Sequence, residues 1–157
     1  MTLTQDEIKE RFKSSMERLR SEDSILFNKN VNERTITHKL AEYLQEEFPD
    51  YNVDCEYNRY EDLSKKIKPP KDEVKWTDTE GKSIFPDIVV HKRGNQDNNL
   101  LIMEVKKSSN RINGEFDKTK IKALMKKPYK YKCGLYLELD IDGEEDEYYW
   151  YFEDNPR

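Results

Sequence analysis

The chain is poor in the residues that mark several function classes. It has two cysteines, Cys55 and Cys133, and no Cys-x-x-Cys. A disulfide framework is therefore excluded, and both read as reduced cysteines of an intracellular protein. Two histidines, His38 and His91, are too few for a zinc site. Hydrophobic residues are only 34% of the chain and charged residues 39%. No apolar run approaches the roughly 18 residues that a membrane span needs, and no signal-peptide pattern opens the chain. A cytoplasmic protein without a membrane partner is expected. Such a composition by itself borders on disorder. The aromatic share of 11% offsets this, because each large ring buries much area. At 157 residues one domain with its own core is expected.

The net charge of −5 hides a segregation. Met1–Ser64 carries 9 basic and 15 acidic residues, Lys65–Lys132 carries 18 and 9, and Cys133–Arg157 carries 1 and 9. The middle segment, at +9, is the one suited to a polyanion. The competing reading is that its lysines merely solvate helix faces.

Within that basic segment lies Ile84–Lys107, IFPDIVVHKRGNQDNNLLIMEVKK. Its apolar runs Ile84–Val90 and Leu100–Val105 read as buried strands. The polar stretch Lys92–Asn99, with Gly94, Asn95, Asp97 and Asn98, reads as the turn of a hairpin. Asp87, Glu104 and Lys106 are charges inside these runs, and a buried charge is costly unless paired or bound to a metal. Strand alternation puts Glu104 and Lys106 on one face and Val105 on the other. With Asp87 across the hairpin, two carboxylates and one ammonium converge. Repulsion between the carboxylates raises their pKa values. A hard divalent cation, Mg²⁺ with Mn²⁺ as its substitute, relieves it. Lys106 offers only donors, so its work is to hold a water or meet a phosphate. The alternative is a structural ion pair of Asp87 with Lys106, and Glu104 at a strand edge. Asp87→Ala is expected to cost nothing in packing.

Pro86-Asp87, followed after sixteen residues by Glu104-Val105-Lys106, resembles the PD-(D/E)xK nuclease superfamily, whose core is called restriction-endonuclease-like. The resemblance covers about Asn32–Asp140. It implies an α/β class with a central mixed sheet flanked by helices. It also implies a Mg²⁺-dependent endonuclease acting on DNA, with Asp87, Glu104 and the carbonyl of Val105 as metal ligands and Lys106 as the water-orienting residue. A Glu on the helix before the first core strand often assists in that family, and Glu33 fits. Glu33 also has a plainer reading, a first-turn acid favoured by the helix dipole. A single site cuts one strand, so duplex cleavage calls for a homodimer or sequential nicks. A catalytically silent nucleic-acid- or protein-binding module on the same fold is the alternative.

The remaining elements follow from pattern. Thr4-Gln5-Asp6-Glu7 is a capping box opening a helix Gln5–Arg20, with Ile8, Phe12, Met16 and Leu19 as its stripe. Asn32 caps a helix Glu33–Glu47 with Ile36, Leu40 and Leu44 buried. Asn52–Arg59 alternates as a strand. Glu61–Gly81 is a loop in which Lys65, Lys66, Lys68 and Lys71 are candidates for a phosphate backbone. Glu115–Lys127 is a helix with Phe116, Ile121, Leu124 and Met125 inward. Its Lys118, Lys122 and Lys126 form a basic ridge, a second candidate DNA contact. Tyr131–Asp140 is a strand with Cys133, Leu135, Leu137 and Leu139 on one face, and Glu147–Phe152 is a last aromatic strand. The order is α-α-β-β-β-α-β-β. Residues 1–30 form a helical extension, 32–140 the core and 141–157 an acidic, aromatic end. The acidic stretch Glu138–Glu147 suits a basic protein partner.

Overall fold

Two capping residues fix where the first helices begin. The computed structural model describes residues 2–57, 85–94, 96–110 and 114–153. Helix α1 is Gln5–Glu22. Thr4 Oγ1 accepts from the Glu7 N–H, and Glu7 Oε1 accepts from the Thr4 N–H, both at 3.1 Å. The reciprocal pair satisfies two of the helix's orphan donors. Ile8, Phe12, Met16 and Leu19 form the buried stripe. After a single 3₁₀ turn, Ser24–Leu26, helix α2 runs Glu33–Glu47. Asn32 caps it through the Arg34 N–H at 2.8 Å, and Ile36, Leu40 and Leu44 are buried.

The strands are β1 (Asn52–Cys55), β2 (Ile88–His91), β3 (Leu101–Lys107), β4 (Cys133–Leu139) and β5 (Glu147–Phe152). Helix α3 is Glu115–Leu124. They form one sheet in the order β1-β2-β3-β4-β5. Pairing is antiparallel except between β3 and β4, which run parallel with α3 between them in sequence. A parallel pair needs such a crossover, because a tight turn cannot return the chain to the same end. The protein is thus a mixed α/β fold with a five-stranded mixed sheet and three described α-helices. Among the described residues no helix is long and apolar enough to cross a membrane.

Each face of the sheet has its own core. On one, Ile88, Val90, Leu101, Met103, Val105, Cys133, Leu135 and Leu137 pack with the stripes of α1 and α2. On the other, Val89 and Ile102 pack with Phe116, Ile121 and Leu124 of α3. Gly134 lets α3 come close: a Cβ there would collide with Ile121 Cγ2. All seven residues of β3 are buried, so it is the central strand in packing as well as in order.

Several boundaries differ from the sequence reading. β2 begins at Ile88, so Asp87 stands just before the strand rather than inside it. β3 runs on through Lys106 and Lys107, because its parallel partner β4 continues the ladder to Lys107 opposite Leu139. β1 stops at Cys55, where Glu56 takes φ 47° and turns the chain out of extended geometry. Helix α3 stops at Leu124 instead of Lys127. Pro128 disfavours helical geometry at the residue before it, and the Tyr131 N–H returns to the Leu124 carbonyl at 3.1 Å.

Candidate metal centre

The site grows from the β2–β3 register. Ile88 lies opposite Met103 and Val89 opposite Ile102. Continued by one residue, the pairing sets Asp87 against Glu104. There the two side chains take over from the backbone ladder. Glu104 Oε2 accepts from the Asp87 N–H at 3.0 Å, and Asp87 Oδ2 accepts from the Val105 N–H at 2.8 Å. Each carboxylate therefore caps the other residue's strand. A strand residue's carbonyl points to the same side as its own N–H, so the Val105 carbonyl faces the Asp87 edge.

Alternation places Asp87, Glu104 and Lys106 on the face covered by α3, and Val105 on the opposite face. Glu104 is 2% exposed and Lys106 9%. Lys106 is registered beside Glu138 of β4. Asp87 keeps some exposed surface. Burial nonetheless raises its carboxyl to about 7, against the pull of Lys120 and of the Val105 N–H, with Asp117 and Glu33 pushing it further up. Glu104 is raised well above the usual carboxylate range, first by burial and then by Asp87, while Lys120 opposes both.

Glu33 reaches the same neighbourhood from α2. Its Oε1 accepts from the Lys107 N–H and from Asn110 Nδ2, both at 3.1 Å. The carboxylate thus closes the end of β3, one residue past Lys106. Lys107 points the other way and fastens the approach to α2. Its ammonium donates to the carbonyls of Lys29 at 2.9 Å and Val31 at 2.5 Å.

The residue the sequence reading missed is Lys120. It is 1% exposed, on α3. Its Nζ donates to Glu104 Oε1 at 2.9 Å and to the Phe85 carbonyl at 3.2 Å, and stands 3.9 Å from Asp117 Oδ1. Burial pulls the ammonium's pKa down, but Glu104 and Asp87 more than offset this and hold it charged. A signal was present in the sequence. Phe116, Lys120 and Leu124 recur four apart, which puts a lysine in the middle of the helix's apolar stripe.

The ridge of Lys118, Lys122 and Lys126 does not form as read. Lys126 falls past the end of α3. Lys118 is half-buried, with its Nζ 5.2 Å above the Tyr136 ring and 4.6 Å above that of Tyr149. Lys122 is exposed, 5.8 Å from the Tyr151 ring. Lys65, Lys66, Lys68 and Lys71 lie outside the described residues. In the acidic stretch, Asp146 is taken by Arg20, which also donates to the carbonyls of Asp140 and Gly143 at 2.9 Å. Part of that stretch therefore tethers α1. Cys133 is buried, whereas Cys55 is exposed at the end of β1.

Compared with protein-family models, with curated proteins and with solved structures, the chain matches none of them.

Proposed function

We propose that the protein is a Mg²⁺-dependent nuclease that hydrolyses DNA phosphodiester bonds, built on a restriction-endonuclease-like core. One observation carries this reading: the reciprocal side chain–backbone bonds that set Asp87, just before β2, against Glu104 of β3, on the face that also bears Lys106. The strand order supports it too. Helix α2, three strands, α3 and a fourth strand follow in the order α-β-β-β-α-β of that core, in one mixed sheet.

The donor chemistry fits the ion. Two carboxylates and the Val105 carbonyl are hard oxygen ligands, suited to Mg²⁺ or Mn²⁺. Both carboxyls are held above their ordinary range, a penalty that a bound cation relieves. Among the described residues no group of three or more His, Cys, Asp or Glu could hold a metal. The ion supplies Lewis acidity toward a phosphate oxygen and toward water. Asp87 and Glu104 would hold it. Lys106 orients the attacking water and offsets negative charge as the transition state forms. Glu33, fixed on the Lys107 N–H, supports that water from the end of β3. Glu104 and Lys106 project from one central strand, so their separation is set by the sheet and not by a loop.

The test is incubation of supercoiled, linear and branched DNA with the protein, with and without Mg²⁺. Cleavage that needs Mg²⁺ and disappears in Asp87→Asn supports the reading. Cleavage unaffected by Asp87→Asn, or none on any substrate, contradicts it. The second reading is a silent binding module on the same fold. It is favoured by the Lys120–Glu104 pair, which gives Glu104 a cation without any metal.

A further inference from the structure

Among the described residues, Asp87, Glu104 and Lys120 crowd the α3 side of the site, with Lys106 on the same face and Asp117 beside Lys120. With both carboxylates ionised the trio carries a net −1. A divalent ion added with Lys120 in place would turn this into +1 in a largely buried volume, which is unfavourable. Geometry sharpens the conflict. Lys120 Nζ is 2.9 Å from Glu104 Oε1. A Mg²⁺ on that oxygen would lie about 2.1 Å from it. The two cations would then be separated by no more than about 5 Å.

The helix offers an exit. Asp117 lies three residues before Lys120 on α3, and its Oδ1 is already 3.9 Å from the ammonium. A flexible four-carbon stem moves its ammonium over that distance without moving the helix. Asp117 is only partly buried, so the new pair would sit nearer to solvent. The divalent ion then stands against Asp87 and Glu104, and Lys120 against Asp117.

We propose that Lys120 is the resident counter-ion of the carboxylate pair, and that a divalent cation enters by displacing its ammonium from Glu104 to Asp117. This rests on the metal-site reading above. Lys120 is a positioning residue. It bridges Glu104 on β3 to the Phe85 carbonyl, two residues before Asp87, and so keeps both carboxylates in register while the metal is absent. The cost of this arrangement is weaker metal binding than the same pair would show alone.

The experiment is calorimetric titration of MgCl₂, and separately of MnCl₂, into the wild type, Lys120→Met, Lys120→Gln and Asp87→Asn. Binding by the wild type, its loss in Asp87→Asn and at least tenfold tighter binding in Lys120→Met or Lys120→Gln are expected. Binding by a Lys120 variant but not by the wild type also supports exchange. Wild-type binding that the Lys120 variants leave unchanged or weaken overturns the exchange and leaves the metal site standing. No binding by any of the four proteins overturns the metal site itself. Because the Lys120 variants remove a buried charge on which folding can depend, a second readout uses the wild type. The ¹⁵N signal of the Lys120 ammonium, identified by its absence in Lys120→Arg, should shift on adding Mg²⁺. A signal unmoved at saturating Mg²⁺ overturns the exchange.

Discussion

Asp87 and Glu104 impose a pH dependence whose direction can be worked out. Both carboxyls are raised in the folded chain, Asp87 to about 7. A raised carboxyl contributes stability that is fully present below its unfolded pKa, near 4, and that is lost as pH rises through the folded value. The metal-free protein should therefore lose stability between about pH 4 and pH 7. A divalent ion needs the ionised pair, so its stabilising effect should grow over the same window. Melting with and without Mg²⁺ at pH 5, 6, 7 and 8 checks this, and a shift independent of pH would contradict it. The same residue corrects an expectation about substitution. Asp87 Oδ2 accepts the Val105 N–H, so Asp87→Ala leaves a donor unpaired and should cost about 1–3 kcal/mol in metal-free protein. Asp87→Asn keeps an acceptor and should cost less while still losing metal. Equal melting temperatures for the two variants would show that the bond contributes nothing.

Among the elements, α3 decides whether the site is assembled. Gly134 on β4 is the position where the helix comes closest, and a methyl group would meet Ile121. Gly134→Ala should lift α3 and cost about 1–3 kcal/mol by overpacking. Lys120 should then draw away from Glu104, so the ammonium signal of Lys120 should lose its protection along with the fall in melting temperature. A stable variant with that signal intact would show that α3 tolerates the displacement. Element boundaries also show what was legible. The two caps, the helical stripes of α1 and α2, and the alternation Cys133, Leu135, Leu137, Leu139 were read correctly because each is local. The β2 start was not, since Pro86-Asp87 is ended by side-chain bonds to another strand. The end of α3 was misread by three residues because the turn back to Leu124 leaves no mark in the hydrophobic spacing. Lys120 was missed for a related reason. Its position was visible, but its partner Glu104 lies on a different element.

At the scale of the whole molecule, the described helices divide between the two faces of the sheet. Helices α1 and α2, from the acidic first third, cover one face of the sheet, and α3 covers the other. DNA binding on the α3 side should therefore be salt-sensitive despite the net charge of −5. Each phosphate contact contributes about −0.9 to the log–log slope on duplex. Lys122→Gln should flatten the slope by about that amount, and Lys118→Gln by less, because Lys118 is half-buried over Tyr136 and Tyr149. Equal slopes in wild type and Lys122→Gln would move the binding surface away from α3.

The central claim is that Asp87 and Glu104 hold a divalent ion beside Lys106. Crystals soaked in MnCl₂ and measured at the manganese edge test it most directly, because the anomalous signal locates the ion without reference to any activity. One strong peak is expected within coordination distance of the Asp87 and Glu104 carboxylates, near the Val105 carbonyl, and no such peak in Asp87→Asn. A wild-type map with no peak there, or with manganese bound only elsewhere, would contradict it.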